Sequence, residues 1–278
     1  MLRLLKGLFN FDMSNKKTIS QTFRRLGLLK SADRINFYIE FIKHREQNKK
    51  FLLKNPEVKL PPDYIMYESF QLDYESYFDD GMATAEWLIV YLRRYVRIEN
   101  KKILDWGCGP ARIVRHMPSL LVNCEFHGTD YNKTTIEWCQ KNIKDVVFHS
   151  NEMLPPTIFK NNSFDIIYGI SVFTHLSEEN HYNWIEELYR ILGKNGILFF
   201  TAHGKAFISK LNYSEQNEFN KGNLIVKSNT KEGHRTYGAY HPPLFIHSLI
   251  KNFELLVHSE GKIKNTKPEQ DIWIVRKK

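Results

Sequence analysis

Short apolar runs alternate with amphipathic stretches through most of the chain, and this alternation predicts an open α/β sheet. Residues 178–192 repeat apolar side chains at the i, i+3, i+4 spacing of a helix, and Gly193 and Gly196 then break the pattern. The last two runs are joined by a polar turn too short for a crossover helix, so we expect them to pair antiparallel. The runs that we interpret as strands are residues 103–106, 124–131, 146–150, 164–169, 197–201, 253–257 and 271–275. The pattern predicts an α/β fold with a doubly wound, mostly parallel seven-stranded sheet and a reversed last strand.

The first 80 residues follow a different pattern. Residues 31–54 combine apolar positions with many charges, as in a helix with a charged outer face, and Pro56, Pro61 and Pro62 end it. Residues 63–80 are rich in Tyr, Phe and acids, and residues 82–97 again have a helical pattern. We therefore predict an N-terminal helical extension over residues 1–80, which includes a segment that covers cofactor or substrate. The main domain would span residues 81–278, with a lid-like insertion at about 203–243.

Charge and cysteine content limit the partners, the metals and the cellular location that we expect. The formal net charge is +9 at pH 7, which favours phosphate-bearing partners, but the basic residues are spread along the chain without a dense arginine block. Nucleic acid therefore remains an alternative partner, which the charge pattern does not favour. The three cysteines have no metal-ligand spacing, so we expect no metal site and a reducing, cytoplasmic location. Residues 1–11 are basic and apolar, which leaves weak contact with the inner membrane face open.

The most informative stretch joins the first predicted strand to a glycine turn. The strand reaches Asp105 and Trp106, and the turn is Gly107-Cys108-Gly109. A dinucleotide-binding loop has a third glycine where this chain has Arg112, so a pyrophosphate site is disfavoured. Asp105 is placed to lie beside a positively charged or amine-bearing ligand. Asp130 ends the next strand, at the separation typical of an acid that binds ribose hydroxyls.

This stretch resembles motif I of the class I S-adenosylmethionine-dependent methyltransferases, which is an acid, any residue, Gly, any residue, Gly and commonly a further Gly after one more position. Ala111 stands where that last glycine usually sits, a mild departure because alanine is also small. Residues 164–176 resemble motif IV, and the helix, glycine turn and strand that follow are also similar, so the resemblance covers roughly residues 80–278. It implies S-adenosyl-L-methionine as the cofactor and methyl transfer by in-line displacement.

The resemblance, together with the positions of the two acids, indicates a set of cofactor-binding residues. They are Tyr77, Gly81, Asp105, Gly107, Gly109, Asp130, Tyr131, Asn151, Glu152, Met153 and Ile170.

Three histidines are candidates for chemistry. Reacting groups in an open α/β sheet sit beyond the carboxyl ends of the strands, which singles out His175 after the fourth strand and His203 after the fifth. His241 lies in a Tyr-His-Pro-Pro turn at the end of the insertion. An imidazole can remove a proton from a hydroxyl near neutral pH. Structural hydrogen bonding or turn packing is the alternative role for each of them.

No motif identifies the methyl acceptor. The chain has neither the N-P-P-Y signature for amino groups of bases nor an acidic metal cluster. By elimination, and by resemblance to small bacterial methyltransferases with a Ser-Val-Phe-Thr-His-Leu segment, we expect a hydroxyl of a small molecule or a glycan, with lipid-linked and phosphorylated acceptors included. An RNA methyltransferase, a non-catalytic cofactor-binding module and an NAD-dependent oxidoreductase remain alternatives.

Overall fold

The computed structural model describes residues 29–228 and 230–278, so the interpretation of residues 1–11 lies outside the described residues. The first described element is helix α1, Leu29–Lys54, in the predicted extension. Residues 47–278 form one compact unit, and the part of α1 that precedes them belongs to a separate unit. None of the described helices is long and apolar enough to cross a membrane.

The compact unit is built on a seven-stranded sheet. The seven strands are β1 Lys102–Trp106, β2 Glu125–Asp130, β3 Val147–Ser150, β4 Phe164–Gly169, β5 Leu192–Ala202, β8 Phe253–Ser259 and β11 Asp271–Lys277. Their order in the sheet is β3-β2-β1-β4-β5-β11-β8, in which β11 is antiparallel to both β5 and β8. The other neighbours are parallel. This topology confirms the predicted fold class, including the reversed last strand.

Helices flank both faces of the sheet. The remaining helices are α2 Asp63–Ser69, α3 Tyr74–Leu92, α4 Met117–Leu120, α5 Lys133–Asn142, α6 Glu178–Ile191, α7 Tyr213–Asn220 and α8 Pro243–Leu249. Short 3-10 turns cover Val114–His116, Phe173–His175 and Lys205–Lys210.

Alternate residues of the central strands feed two separate cores, as expected for a sheet that is covered on both faces. Ile103 of β1 packs in the core that contains Leu88 of α3. Leu104, the next residue of β1, packs in the core that contains Trp184 of α6. The central strands are therefore buried on both sides, and their carboxyl ends open towards the glycine turn.

Two element boundaries differ from the sequence prediction. Helix α3 begins at Tyr74, well before residue 82, because the Asp73 side chain caps it by accepting a hydrogen bond from the Ser76 amide at 3.1 Å. The predicted glycine break after α6 lies inside β5. The pairing with β4 shifts there from Leu192 to Ile197, so these residues form a bulge with Asn195 at φ +61°.

The predicted insertion has a small core of its own. Strands β6 Ile225–Lys227 and β7 Gly238–Tyr240 form a two-stranded sheet. Phe207, Leu211, Phe219 and Tyr240 pack together. Strands β9 Ile263–Lys264 and β10 Lys267–Pro268 extend the turn between β8 and β11.

Candidate active site

The glycine turn after β1 requires glycine for two reasons. Gly107 and Gly109 have φ angles of +72° and +50°, which side chains rarely permit, and a Cβ at Gly107 would overlap Val172. The amides of Gly107 and Cys108 both donate to the Thr129 carbonyl, at 2.8 and 3.0 Å. The turn is thus attached to the end of β2.

Asp130 ties the same turn down from the other side. Its carboxylate accepts hydrogen bonds from the Gly109 amide at 3.0 Å and from the Asn132 amide at 2.8 Å, one on each oxygen. Burial raises the pKa of Asp130, while these backbone donors oppose the rise. A carboxylate oxygen has a further lone pair, so both oxygens can still accept from ligand hydroxyls.

Two cavities open at this edge of the sheet, with volumes of about 230 and 300 Å³. They have a common wall. Both are lined by Ser69, Gly107, Gly109, Pro110, Ile170 and Ser171. The first, the Asp130 cavity, also contains Asp130, Tyr131, Asn151, Glu152, Met153 and His175. The second, the Asp105 cavity, contains Asp105, Phe70 and Arg112.

The Asp105 cavity combines opposite charges in a desolvated place. Asp105 is 3% exposed, and burial raises its pKa to about 7 against the opposing effects of the Tyr168 hydroxyl and, second, of the Arg112 guanidinium. Burial also lowers the pKa of Arg112, whose guanidinium lies 4.5 Å over the Phe70 ring. An acid and a base on one cavity wall fit a ligand that has both an ammonium and a carboxylate, as the methionine end of the predicted cofactor does.

The Asp130 cavity fits the other end of such a ligand. Asn151 accepts from the Thr129 hydroxyl at 2.6 Å and donates to the Glu152 carbonyl at 2.6 Å, so its amide is held rigidly. The indole of Trp184 donates to the Met153 carbonyl at 2.9 Å, which fixes the backbone at that wall. Polar backbone and apolar side chains around one cavity suit an adenine ring, with Asp130 beside the ribose.

Two of the predicted cofactor residues lie behind the turn. Tyr77 and Gly81, on α3, line neither cavity. The buried Tyr77 hydroxyl donates to the Pro110 carbonyl at 2.5 Å, and a Cβ at Gly81 would overlap the Arg112 carbonyl. Their place in the structure is to support the turn from its far side.

His175 is the predicted catalytic histidine that lines a cavity. Its Nδ1 lies 3.1 Å from the Tyr237 carbonyl. A carbonyl only accepts, so Nδ1 carries the proton and Nε2 has the lone pair. Burial lowers the pKa of His175, which keeps the ring neutral at physiological pH. His175 is therefore built as a hydrogen-bond acceptor at the cavity wall.

The other two histidines line neither cavity. His203 stacks on Phe207 at 4.1 Å between ring centroids, and its Nδ1 lies 3.1 Å from the Ala239 carbonyl. The buried His241 places Nε2 2.8 Å from Nε2 of His181. Both rings hold the insertion onto the domain. These contacts match the alternative that the sequence analysis left open for both histidines, structural hydrogen bonding or turn packing.

Part of the cavity wall comes from a segment without a sequence motif. Residues 232–235, here called the roof loop, contribute Gly233, His234 and Arg235 to the Asp130 cavity. Glu232 accepts from the Ser177 amide at 2.5 Å and from the Asn180 side chain at 2.8 Å. The only sequence signal for this loop is its place inside the long predicted insertion. Ser69 and Ser171 were also absent from the predicted set.

No group of three or more His, Cys, Asp or Glu side chains within residues 29–228 and 230–278 could hold a metal ion.

Residues 103–196 match the family model described as a methyltransferase domain. A curated relative is malonyl-[acyl-carrier protein] O-methyltransferase from Bacillus anthracis, 24% identical over 169 residues, which cover 60% of this chain and 61% of the relative. The chain thus spans less than two thirds of that relative's length.

Solved structures share the fold. A SAM-dependent methyltransferase from Methanosarcina mazei superposes with a TM-score of 0.51 at 16% identity, covering 67% of this chain and 96% of that one. Magnesium protoporphyrin IX methyltransferase from Synechocystis PCC 6803, solved with bound SAH, gives a TM-score of 0.51 at 12% identity, covering 77% and 92%. These matches confirm the fold that the resemblance in the sequence implies.

Proposed function

We propose that the chain is an S-adenosylmethionine-dependent methyltransferase of the class I fold, and that it transfers a methyl group to a hydroxyl of a small molecule or a glycan. The observation that carries the acceptor assignment is the fixed tautomer of His175, whose Nε2 lone pair belongs to a ring on the wall of the Asp130 cavity.

The cofactor would lie across both cavities. Asp130 would accept from the ribose hydroxyls, and Asn151, Glu152 and Met153 would surround the adenine. Asp105 would pair with the ammonium and Arg112 with the carboxylate of the methionine end. The cofactor supplies a methyl carbon that is activated by its bond to a sulfonium.

The protein's contribution to the reaction is position and proton transfer. In an in-line displacement, the acceptor oxygen forms a bond to the methyl carbon as the bond from that carbon to sulfur breaks, leaving S-adenosylhomocysteine. The hydroxyl proton passes to Nε2 of His175, which is unprotonated in the structure's hydrogen bonding.

The relatives support a wider set of acceptors to be tested beside hydroxyls. The Bacillus relative is named for a malonyl group and the Synechocystis structure for a porphyrin. A malonyl carboxylate has no proton to give to His175 at neutral pH, so the geometry favours the hydroxyl.

The decisive experiment offers isotope-labelled S-adenosylmethionine to the purified protein with separate small-molecule, glycan, lipid, RNA and acyl-carrier fractions. Label in a glycan or small-molecule alcohol is expected. Label in RNA, with affinity that falls steeply with salt, would replace this acceptor by nucleic acid. Binding of S-adenosylhomocysteine without label in any fraction would favour a non-catalytic module.

A thermal-shift measurement tests the cofactor separately. S-adenosylhomocysteine at about 100 times its dissociation constant should stabilise the protein by about 2.7 kcal/mol if it binds only the native state. NAD should give no shift. The reverse result would replace the methyltransferase proposal by an oxidoreductase.

A further inference from the structure

We propose that Ser171 contacts the methyl acceptor, and that Gln270 and Thr201 are positioning residues that present the Ser171 hydroxyl oxygen to it as a hydrogen-bond acceptor. This inference rests on the proposed function and deepens it. It adds Gln270, which directly precedes the reversed strand β11, to the residues that shape the site. It also restricts the methyl acceptor to a group that bears an N–H or O–H.

Ser171 occupies a singular place in the site. It follows the end of β4 and is among the residues that line both cavities. Its φ angle is +65°, a region that a serine rarely adopts. Its amide donates to the Thr201 hydroxyl at 2.8 Å, which holds the backbone in that conformation. Strain of this kind persists where the surroundings fix it, and it is common at functional sites.

The hydroxyl of Ser171 is held by residues distant in sequence. The Gln270 amide, just before β11, donates to the Ser171 oxygen at 2.8 Å. The Thr201 hydroxyl, in β5, donates to the Gln270 side-chain oxygen at 2.5 Å. Because β11 runs antiparallel to β5, the start of β11 lies beside the end of β5 and brings Gln270 next to Thr201.

The directions of these hydrogen bonds follow from the groups themselves. The Thr174 hydroxyl lies 2.5 Å from the Ser171 carbonyl, which only accepts, so the Thr174 proton is used there. The Ser171 hydroxyl therefore donates its proton to the Thr174 hydroxyl oxygen, which lies 2.9 Å away. If the Gln270 amide were reversed, the buried Thr201 hydroxyl would lose this acceptor for its proton.

The Ser171 oxygen therefore has its proton engaged and one of its two lone pairs occupied by Gln270. The second lone pair can accept from a ligand. His175 also accepts through Nε2 and lines one of the same cavities. Two hydrogen-bond acceptors at one site match a methyl acceptor with two N–H or O–H protons, as neighbouring hydroxyls or an amine supply: one proton goes to His175 and the other to Ser171. A carboxylate is poorly matched, because it has no proton to share at neutral pH.

Gln270→Met tests the positioning role, because it keeps the length of the side chain and removes both hydrogen bonds. Gln270→Glu keeps the acceptor for Thr201 and removes the donor to Ser171. Ser171→Ala and the double variant Ser171→Ala with Gln270→Met complete a cycle. The matched control is Gln140→Met, which removes a glutamine amide that donates to the Phe148 carbonyl at 2.9 Å, outside both cavities.

The readouts are label transfer to the fraction that the wild-type protein methylates, S-adenosylhomocysteine affinity by calorimetry, and thermal melting. Gln270→Met, Gln270→Glu and Ser171→Ala should each lower kcat/KM for the acceptor by about 10- to 100-fold, as expected for a misplaced contact. In the two Gln270 variants, the affinity for S-adenosylhomocysteine should stay within about twofold, since Gln270 lines neither cavity. The double variant should lose no more than Ser171→Ala alone.

Three results would overturn the inference: wild-type transfer by Gln270→Met, losses that add in the double variant, or an equal loss in Gln140→Met. If Gln270→Met does not melt cooperatively, Gln270→Glu provides the same test. Failure of the proposed function is distinct, because the wild-type protein itself would then transfer no label, and the inference would fall with it.

Discussion

Asp105 is buried and Asp130 is half-buried, and the two acids stand at neighbouring strand ends in different surroundings. Backbone amides donate to both oxygens of Asp130 and oppose the rise in its pKa that burial causes. Burial raises the pKa of Asp105 to about 7, and the Tyr168 hydroxyl and then the Arg112 guanidinium oppose that rise. A positively charged group of a ligand would stabilise the ionised form of Asp105.

Cofactor-product binding should therefore depend on Asp105 ionisation. Affinity for S-adenosylhomocysteine should rise with pH, by at most about tenfold per unit, up to pH 7 and level off above it, because the ligand's ammonium favours the ionised acid. Calorimetry between pH 5 and 8 measures this slope, and Asp105→Asn should remove it. Asp165→Asn, at the far end of β4, is the control. A flat wild-type profile would contradict the assignment.

His175 gives a second prediction for a single residue. His175→Gln should lower label transfer by about 10²- to 10⁴-fold, because glutamine can accept a hydrogen bond but cannot take the proton. In the wild-type protein, kcat/KM should rise as the pH approaches 6.5 and stay level above it, since the pKa of His175 is lowered. His203→Gln, outside both cavities, is the matched control. Equal losses in the two variants would leave His175 a structural residue.

Sequence reasoning succeeded for residues whose position follows from local spacing, and their roles towards a cofactor stay predictions. Gly107, Gly109 and Asp130 were predicted from one turn and the next strand. Ser171 was out of reach because neither its positive φ nor its partner is encoded nearby: the hydrogen bond to Gln270 joins positions 99 residues apart in sequence.

At the scale of elements, periodicity predicted the helix Glu178–Ile191 and the hairpin of β8 and β11 closely. It failed where a local irregularity overrides the pattern. The glycines after α6 form a bulge within β5, and the cap at Asp73 starts α3 early. The roof loop has no periodicity at all, and its position depends on contacts with distant elements.

The roof loop should control cofactor retention. Glu232 anchors it through the Ser177 amide and the Asn180 side chain, and the adjacent Gly233 lies against Met153 and Tyr131. Glu232→Ala should raise the dissociation constant of S-adenosylhomocysteine by about 5- to 160-fold, the range expected for losing about 1 to 3 kcal/mol of hydrogen bonding. Calorimetry and stopped-flow release measure it. Glu232→Gln, which keeps an accepting oxygen, should bind nearly as the wild type does; equal affinity in all three proteins would show that the anchor is dispensable.

At the scale of the whole molecule, several buried histidines determine how folding responds to acid. Burial lowers the pKa of His181 to about 4 and that of His203 to about 3, and it also lowers the pKa of His175 and His241. All four tie the insertion or the helix beneath it to the sheet. Asp105 acts in the opposite sense, since its folded pKa of about 7 exceeds the unfolded value. Asp130, whose pKa is also raised, acts in the same sense as Asp105. Burial lowers the pKa of His116 and His127 to about 4 as well, so the histidines with lowered pKa outnumber the two acids with raised pKa.

The free energy of unfolding should therefore be greatest above pH 6.5 and should decline as the pH falls towards 4. The unfolded histidines take up protons in this range while the folded ones stay neutral, at about 1.4 kcal/mol per pH unit for each fully shifted ring. Urea unfolding at several pH values measures the slope. His181→Gln removes one such ring and should reduce the slope by about that amount, whereas His247→Gln removes an exposed histidine and serves as the control. His181 on α6 contacts His241 at the end of the insertion. If the dependence of the unfolding free energy on pH is the same in His181→Gln as in the wild type, this junction opens before the rest of the domain unfolds.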